Sequence, residues 1–133
     1  MSARGKASPP VEQPAANPDR GEHELTLAGI TYRLRPSHGA LRAIERKTER
    51  STLALIRLGN TGELSIEQLG VVGAELIRAG AADEMTRAVD AERIGELIFE
   101  EGLPKATARL TMCLLDAATG GRDVSGEAKA ASA

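Results

Sequence analysis

Glu22-His23-Glu24-Leu25-Thr26-Leu27-Ala28-Gly29-Ile30-Thr31-Tyr32-Arg33-Leu34-Arg35 alternates polar and apolar residues on both sides of an Ala-Gly pair. Period-two alternation around a Gly predicts a β-hairpin. Leu25 and Leu27 would share one face of the first strand, and Ile30, Tyr32 and Leu34 one face of the second. An isolated hairpin is only marginally stable in water, so this apolar face needs a partner layer. The sequence that follows supplies it.

Pro36 ends the second strand and Ser37 is placed to cap a helix, after which Leu41, Ile44 and Thr48 recur at helical spacing to about Arg50. A second short helix fits Thr52 to Leu58, capped by Ser51. Ser65 and Gln68 form a capping box that opens a third helix to about Ala79, with the stripe Ile66, Leu69, Gly73, Leu76 and Ile77. Gly80 stands where a left-handed terminating residue is wanted. Gly70 and Gly73 each cost about 1 kcal/mol of helix propensity relative to Ala; either a close backbone approach offsets that cost or the helix is simply weak there. Asp90 caps a fourth helix carrying Ile94, Leu97, Ile98 and Glu101 and closed by Gly102. Pro104 suits the first turn of a fifth, with Ala106, Leu110, Cys113, Leu114 and Ala117 facing inward. The expected fold class is α+β: a short N-terminal β-hairpin packed on four or five small α-helices.

Outside this pattern lie two segments too poor in branched apolar residues to offset their ordering entropy. Four of the six prolines (Pro9, Pro10, Pro14 and Pro18) precede Gly21, and the end of the chain is Gly, Ala, Ser and charge. The expected organisation is a disordered tail over 1–21, one domain over 22–120, and a second disordered tail over 121–133. The whole chain is 133 residues, with 41% hydrophobic, 27% charged and 2% aromatic residues, so the core must be aliphatic. No apolar run approaches the roughly 18 to 20 residues of a membrane span, and Met1 to Gly21 holds no signal-like stretch, so the expectation is a soluble cytoplasmic chain.

The residues for catalysis are sparse. One Cys (Cys113) and two His (His23 and His38) leave a zinc site short of its usual ligands and rule out an internal disulfide. Cys113 falls in an apolar stretch and reads as core, while the histidines read as surface or capping groups. No Gly-rich phosphate loop follows a strand. No enzyme, catalytic residue, cofactor or metal is expected.

Charge is segregated instead. Arg33, Arg35, Arg42, Arg46, Lys47, Arg50 and Arg57 outnumber two acids between Arg33 and Arg57, whereas seven acids outnumber Arg87 and Arg93 between Asp83 and Glu101. Such opposed surfaces satisfy each other within a molecule or stack molecules head to tail. Arg42, Arg46 and Arg50, spaced by four with Lys47 beside them, are the candidate partner-binding residues. The same stripe could track phosphates, but the net charge of −2 and the interleaved Glu45 and Glu49 argue against nucleic acid. A small nucleic-acid-binding regulator is therefore the third-ranked function.

Several of these stretches resemble a family of small tail proteins found in tailed phages and gene transfer agents. Gly29 to Arg35 is similar to that family's second strand and Gly39 to Glu45 to its first helix. Leu64 to Leu69, Leu76 to Ala81, Ile98 to Leu103 and Leu114 to Ala118 resemble its capped middle helix, that helix's end and its closing segment. The resemblance covers 22–120, and departs from the pattern at Lys47-Thr48-Glu49-Arg50, where a more apolar helix end is expected. It implies a non-enzymatic tail assembly chaperone that binds the tape-measure protein transiently, with the tail tube protein as a further partner. The alternative is a structural tube or ring subunit that self-associates and stays in the particle, which would place the chain in the virion tail.

Overall fold

Residues 13–127 are described by a computed structural model of the chain; the outer parts of the two expected tails, 1–12 and 128–133, lie outside the described residues. Strands β1 (His23–Leu27) and β2 (Ile30–Leu34) pair antiparallel with Leu25 opposite Tyr32 and Leu27 opposite Ile30. The two-residue loop between them has positive φ at both positions, +50° at Ala28 and +80° at Gly29, the geometry that matches strand twist. Leu25, Leu27 and Leu34 are buried on the inner face, Tyr32 is half-buried, and Ile30 at the tip is exposed. On the outer face the hydroxyls of Thr26 and Thr31 meet at 2.8 Å.

Among the described residues six α-helices follow: α1 (His38–Thr48), α2 (Thr52–Asn60), α3 (Ile66–Gly80), α4 (Glu84–Arg87), α5 (Ala91–Glu101) and α6 (Leu103–Ala118). The fold is α+β, as its sequence pattern predicts, with one helix more than expected. The extra one, α4, is a single turn capped by Asp83 and too short for periodicity to reveal. The expected caps form. Ser37 and Ser51 accept from Ala40 N and Ala54 N, both at 3.1 Å, and the Ser65–Gln68 box closes at 3.0 and 2.8 Å.

Helix α3 is the centre of the molecule, contacting β2, α1, α5 and α6. Leu69, Val72, Ala74, Leu76 and Ile77 are fully buried along it. Its glycines admit neighbouring backbone. A Cβ on Gly70 would lie 2.5 Å from the Ala91 carbonyl oxygen and 3.3 Å from the Gly95 Cα, so the close-approach alternative is the one realised at Gly70. Gly80 departs from expectation. It is the last residue of α3, outside the left-handed region, and the helix ends at Ala81 in extended backbone. Its missing side chain lets β2 come close, with Arg33 Nε donating to the Gly80 carbonyl at 2.7 Å and Arg35 N to the Leu76 carbonyl at 3.1 Å.

The inner parts of the expected tails are tied to the domain by polar groups, which the apolar composition could not foretell. Asn17 caps a 3₁₀ turn over Pro18–Arg20, and its N–H donates to Glu22 Oε1 at 2.9 Å. At the other end, Arg122 Nε and Nη2 donate to the Asp116 carbonyl at 3.1 and 2.9 Å, and Arg35 Nε donates to the Ser125 carbonyl at 2.9 Å. His38 N at the start of α1 donates to the Val124 carbonyl at 2.9 Å. Residues 13–21 and 121–127 thus make native contacts on both sides of the 22–120 span.

One packing defect gives a direct test. Thr111 is buried between α6 and α2, and among the described residues its hydroxyl has no hydrogen-bond partner. Thr111→Val keeps the shape and removes the stranded group, so it should raise stability by about 1 kcal/mol. A lower urea midpoint for the variant would contradict this.

Candidate functional site

Only part of the expected basic stripe lies on α1, which ends at Thr48 with Glu49 in the left-handed region, so Arg42, Arg46 and Lys47 are on the helix while Arg50 lies beyond its end and off the expected helical face. Arg42, Arg46 and Arg50 are exposed, and among the described residues none of them has an ion-pair partner. Lys47 instead turns to α3, where its Nζ meets Glu75 Oε2 at 2.5 Å; Arg78 Nη1 meets the same oxygen at 2.6 Å. Glu45, expected to pair along the stripe, accepts from Thr52 N at 2.7 Å and Thr52 Oγ1 at 2.9 Å, tying α1 to the start of α2. This leaves the three arginines less neutralised than their sequence neighbourhood suggests.

Other members of the two charged segments are engaged by backbone. Arg33 and Arg35 hold carbonyl groups, Asp83 and Asp90 cap helices, and Glu101 Oε2 accepts from Ala28 N at 3.0 Å in the hairpin turn. Among the charged groups left exposed are Arg42 and Arg46 on α1, Arg50 just past its end and Arg57 on α2, with Glu45 and Glu49 between them, and Glu92, Glu96 and Glu100 along α5, with Arg93 between them. Of those acids, Glu96 meets Arg93 at 2.9 Å, with both side chains more than half exposed.

Beside the acids runs a groove of about 850 Å³ between the first half of α3 and α5, where the Gly70–Gly95 approach brings the two helix backbones together. Ile66, Val71 and Phe99 give it apolar walls, and Glu67, Glu92, Glu96 and Glu100 rim it. Phe99 is 65% exposed and Ile66 44% exposed. Ile66, expected in the core stripe, therefore opens onto the groove. The spacing of Glu92, Glu96, Phe99 and Glu100 puts one aromatic within an acidic helix face. That pattern was the available signal for this surface.

The candidates for chemistry sit apart. His23 Nε2 lies 3.0 Å from Asp116 Oδ2, and His38 is exposed in the first turn of α1. Cys113 is fully buried on α6, and burial, with the Asp116 charge adding to it, pushes its thiol up to about 12. Burial also raises the Tyr32 phenol, with the Asp83 charge acting in the same direction. The backbone and hydroxyl hydrogen bonds from Thr86 hold Asp83 below the ordinary carboxylate range, and the Ser125 hydroxyl does the same for Asp123. These two perturbed carboxylates are turn and cap groups. Among the described residues, no group of three or more His, Cys, Asp or Glu side chains could hold a metal ion, and no helix is long and apolar enough to cross a membrane.

The arrangement offers surfaces for protein contact: an arginine-bearing side and an acid-rimmed groove carrying an exposed aromatic. Compared with known proteins, the chain matches over residues 20–121 the model of a family described as phage tail tube protein, GTA-gp10. No curated protein and no solved structure matches it.

Proposed function

The chain belongs to the phage tail tube protein, GTA-gp10 family, and from that premise we propose that it is a structural subunit of a phage-like tail, retained as a tube or ring component. The observation that carries this reading is the separation of its surface charge. Arg42 and Arg46 on α1, Arg50 just past its end and Arg57 on α2 are exposed in one segment, and Glu92, Glu96 and Glu100 are exposed along α5 in another, a segregation that suits repeated contact between copies. The reading needs no catalytic residue, cofactor or metal. Its partners are other tail proteins and further copies of itself, and its place is the virion tail after assembly in the host cytoplasm.

A second reading is the tail assembly chaperone that binds the tape-measure protein transiently. The groove between α3 and α5 favours it, because its Ile66, Val71 and Phe99 walls could receive the apolar stripe of a helical segment. Reversible coating calls for moderate affinity, and a groove with one aromatic supplies few strong anchoring contacts.

Quantitative mass spectrometry of purified particles and of the producing lysate separates the two. The structural reading expects the chain in finished particles at a stoichiometry comparable with a ring or tube component. Abundance in the lysate together with absence from particles would overturn it and leave the chaperone.

A further inference from the structure

We propose that the α3–α5 groove receives the exposed face of α2 from a second copy of the chain, with Leu53 entering between Ile66 and Phe99. This deepens the structural reading above and rests on it. Leu53 is 60% exposed in the first turn of α2, with Arg57 one turn further on and Arg50 just ahead of the helix cap, both exposed. An apolar residue between two arginines complements an apolar groove rimmed by Glu67, Glu92, Glu96 and Glu100. The fit is both chemical and electrostatic.

One molecule does not satisfy itself in this way. Helix α2 is fixed to the domain through buried Leu55 and Ile56 and through its packing on α6, and Leu53 is not among the residues lining its own groove. The face and the groove are different surfaces, so the contact is heterologous. Each copy keeps one free face and one free groove, and copies add head to tail into a ring if the rotation closes or a filament if it does not.

Heterologous pairing has a signature that two variants expose. Leu53→Asp spoils the face and Phe99→Asp spoils the groove, and because both side chains are mostly exposed, both variants should fold, as circular dichroism would verify. In sedimentation velocity of the full chain, each variant alone should self-associate roughly thirtyfold more weakly than wild type, the loss of a central interface contact. Mixed together, they should form a 1:1 dimer and nothing larger. The intact groove of one still accepts the intact face of the other, and the remaining pair is spoiled on both sides. Raised sodium chloride should weaken both the wild-type assembly and the mixed dimer.

Three results overturn the inference. They are assembly of either variant at wild-type strength, a mixture that stays monomeric, and a wild-type chain that stays monomeric at its highest attainable concentration. A monomeric wild type whose binding to the tape-measure protein is lost with Phe99→Asp would assign the groove to that partner instead. Failure of the structural reading shows separately, as absence of the chain from purified particles. A chain retained in particles whose self-association ignores both substitutions would keep that reading and remove this interface.

Discussion

Gly80→Ala is expected to lower the stability of the folded chain by about 3 kcal/mol, at the upper end of the usual cost of overpacking. On helix propensity alone the substitution should help, since Ala is favoured over Gly by about 1 kcal/mol inside a helix. Packing decides the sign. A Cβ at this position would overlap the Arg33 carbonyl oxygen and lie 2.9 Å from its carbon, and both atoms belong to strand backbone that no rotamer change can move. The hairpin would have to back away from α3, loosening the Arg33–Gly80 and Arg35–Leu76 hydrogen bonds and uncovering Leu34, which has no exposed surface. Gly39→Ala is the control. That glycine lies in the first turn of α1 with nothing within 4 Å of the added carbon, so the change should be neutral or slightly stabilising. Urea midpoints of the two variants measure the contrast, and a Gly80→Ala midpoint at or above wild type would show that the hairpin yields freely.

The same glycine shows where sequence reasoning reaches and where it stops. A hairpin with Ala-Gly at its tip, three serine caps and a capping box were legible because each is decided within a few residues of chain. The use of Gly80 was not, because it depends on Arg33, forty-seven positions away, arriving against the helix end. A terminal glycine reads as a left-handed stop when only its own neighbours are visible. Gly70 is the intermediate case. Its propensity cost signalled a close approach, but Ala91 and Gly95 as the approaching residues came from the pairing of α3 with α5.

The candidate site was legible in the same partial way. Counting charges located two opposed segments, and Arg42, Arg46 and Arg50 do stand exposed on one of them. Counting could not tell which charges the fold would engage. Arg33 and Arg35 bind carbonyl groups, Lys47 joins Glu75, and Asp83 and Asp90 cap helices, so the free surface carries fewer charges than the segments contain. The groove was hidden for a geometric reason. Ile66 continues the apolar stripe of α3 and is core by periodicity, yet it lies in the first turn of that helix, at the edge of the α5 contact. Phe99 belongs to a face that is otherwise acidic, and its value as a contact becomes visible only with Ile66 and Val71 opposite.

The second large effect is a loss of stability in alkali that a single buried thiol produces. Burial pushes Cys113 from its ordinary value near 9 up to about 12 in the folded chain. Well below pH 9 the thiol is protonated in both states and contributes no pH dependence. Between pH 9 and pH 12 the unfolded chain ionises its thiol while the folded chain holds the proton, so the unfolded state gains and stability falls by about 1.4 kcal/mol per pH unit. The accumulated loss should approach about 3 kcal/mol by pH 11, a large share of the roughly 5 to 15 kcal/mol typical of a domain. Tyr32, also raised by burial, acts in the same direction, so the slope belonging to Cys113 has to be isolated by difference. Cys113→Ala retains Tyr32 and removes the thiol. Its urea-derived stability should therefore start somewhat lower at neutral pH and decline less steeply than wild type above pH 9, the two curves converging or crossing as alkali increases. Parallel curves through this range would mean that the folded chain accommodates the thiolate. Water would then reach the inner face of α6, and the aliphatic core would be more open there than the complete burial of Leu110, Cys113 and Leu114 requires.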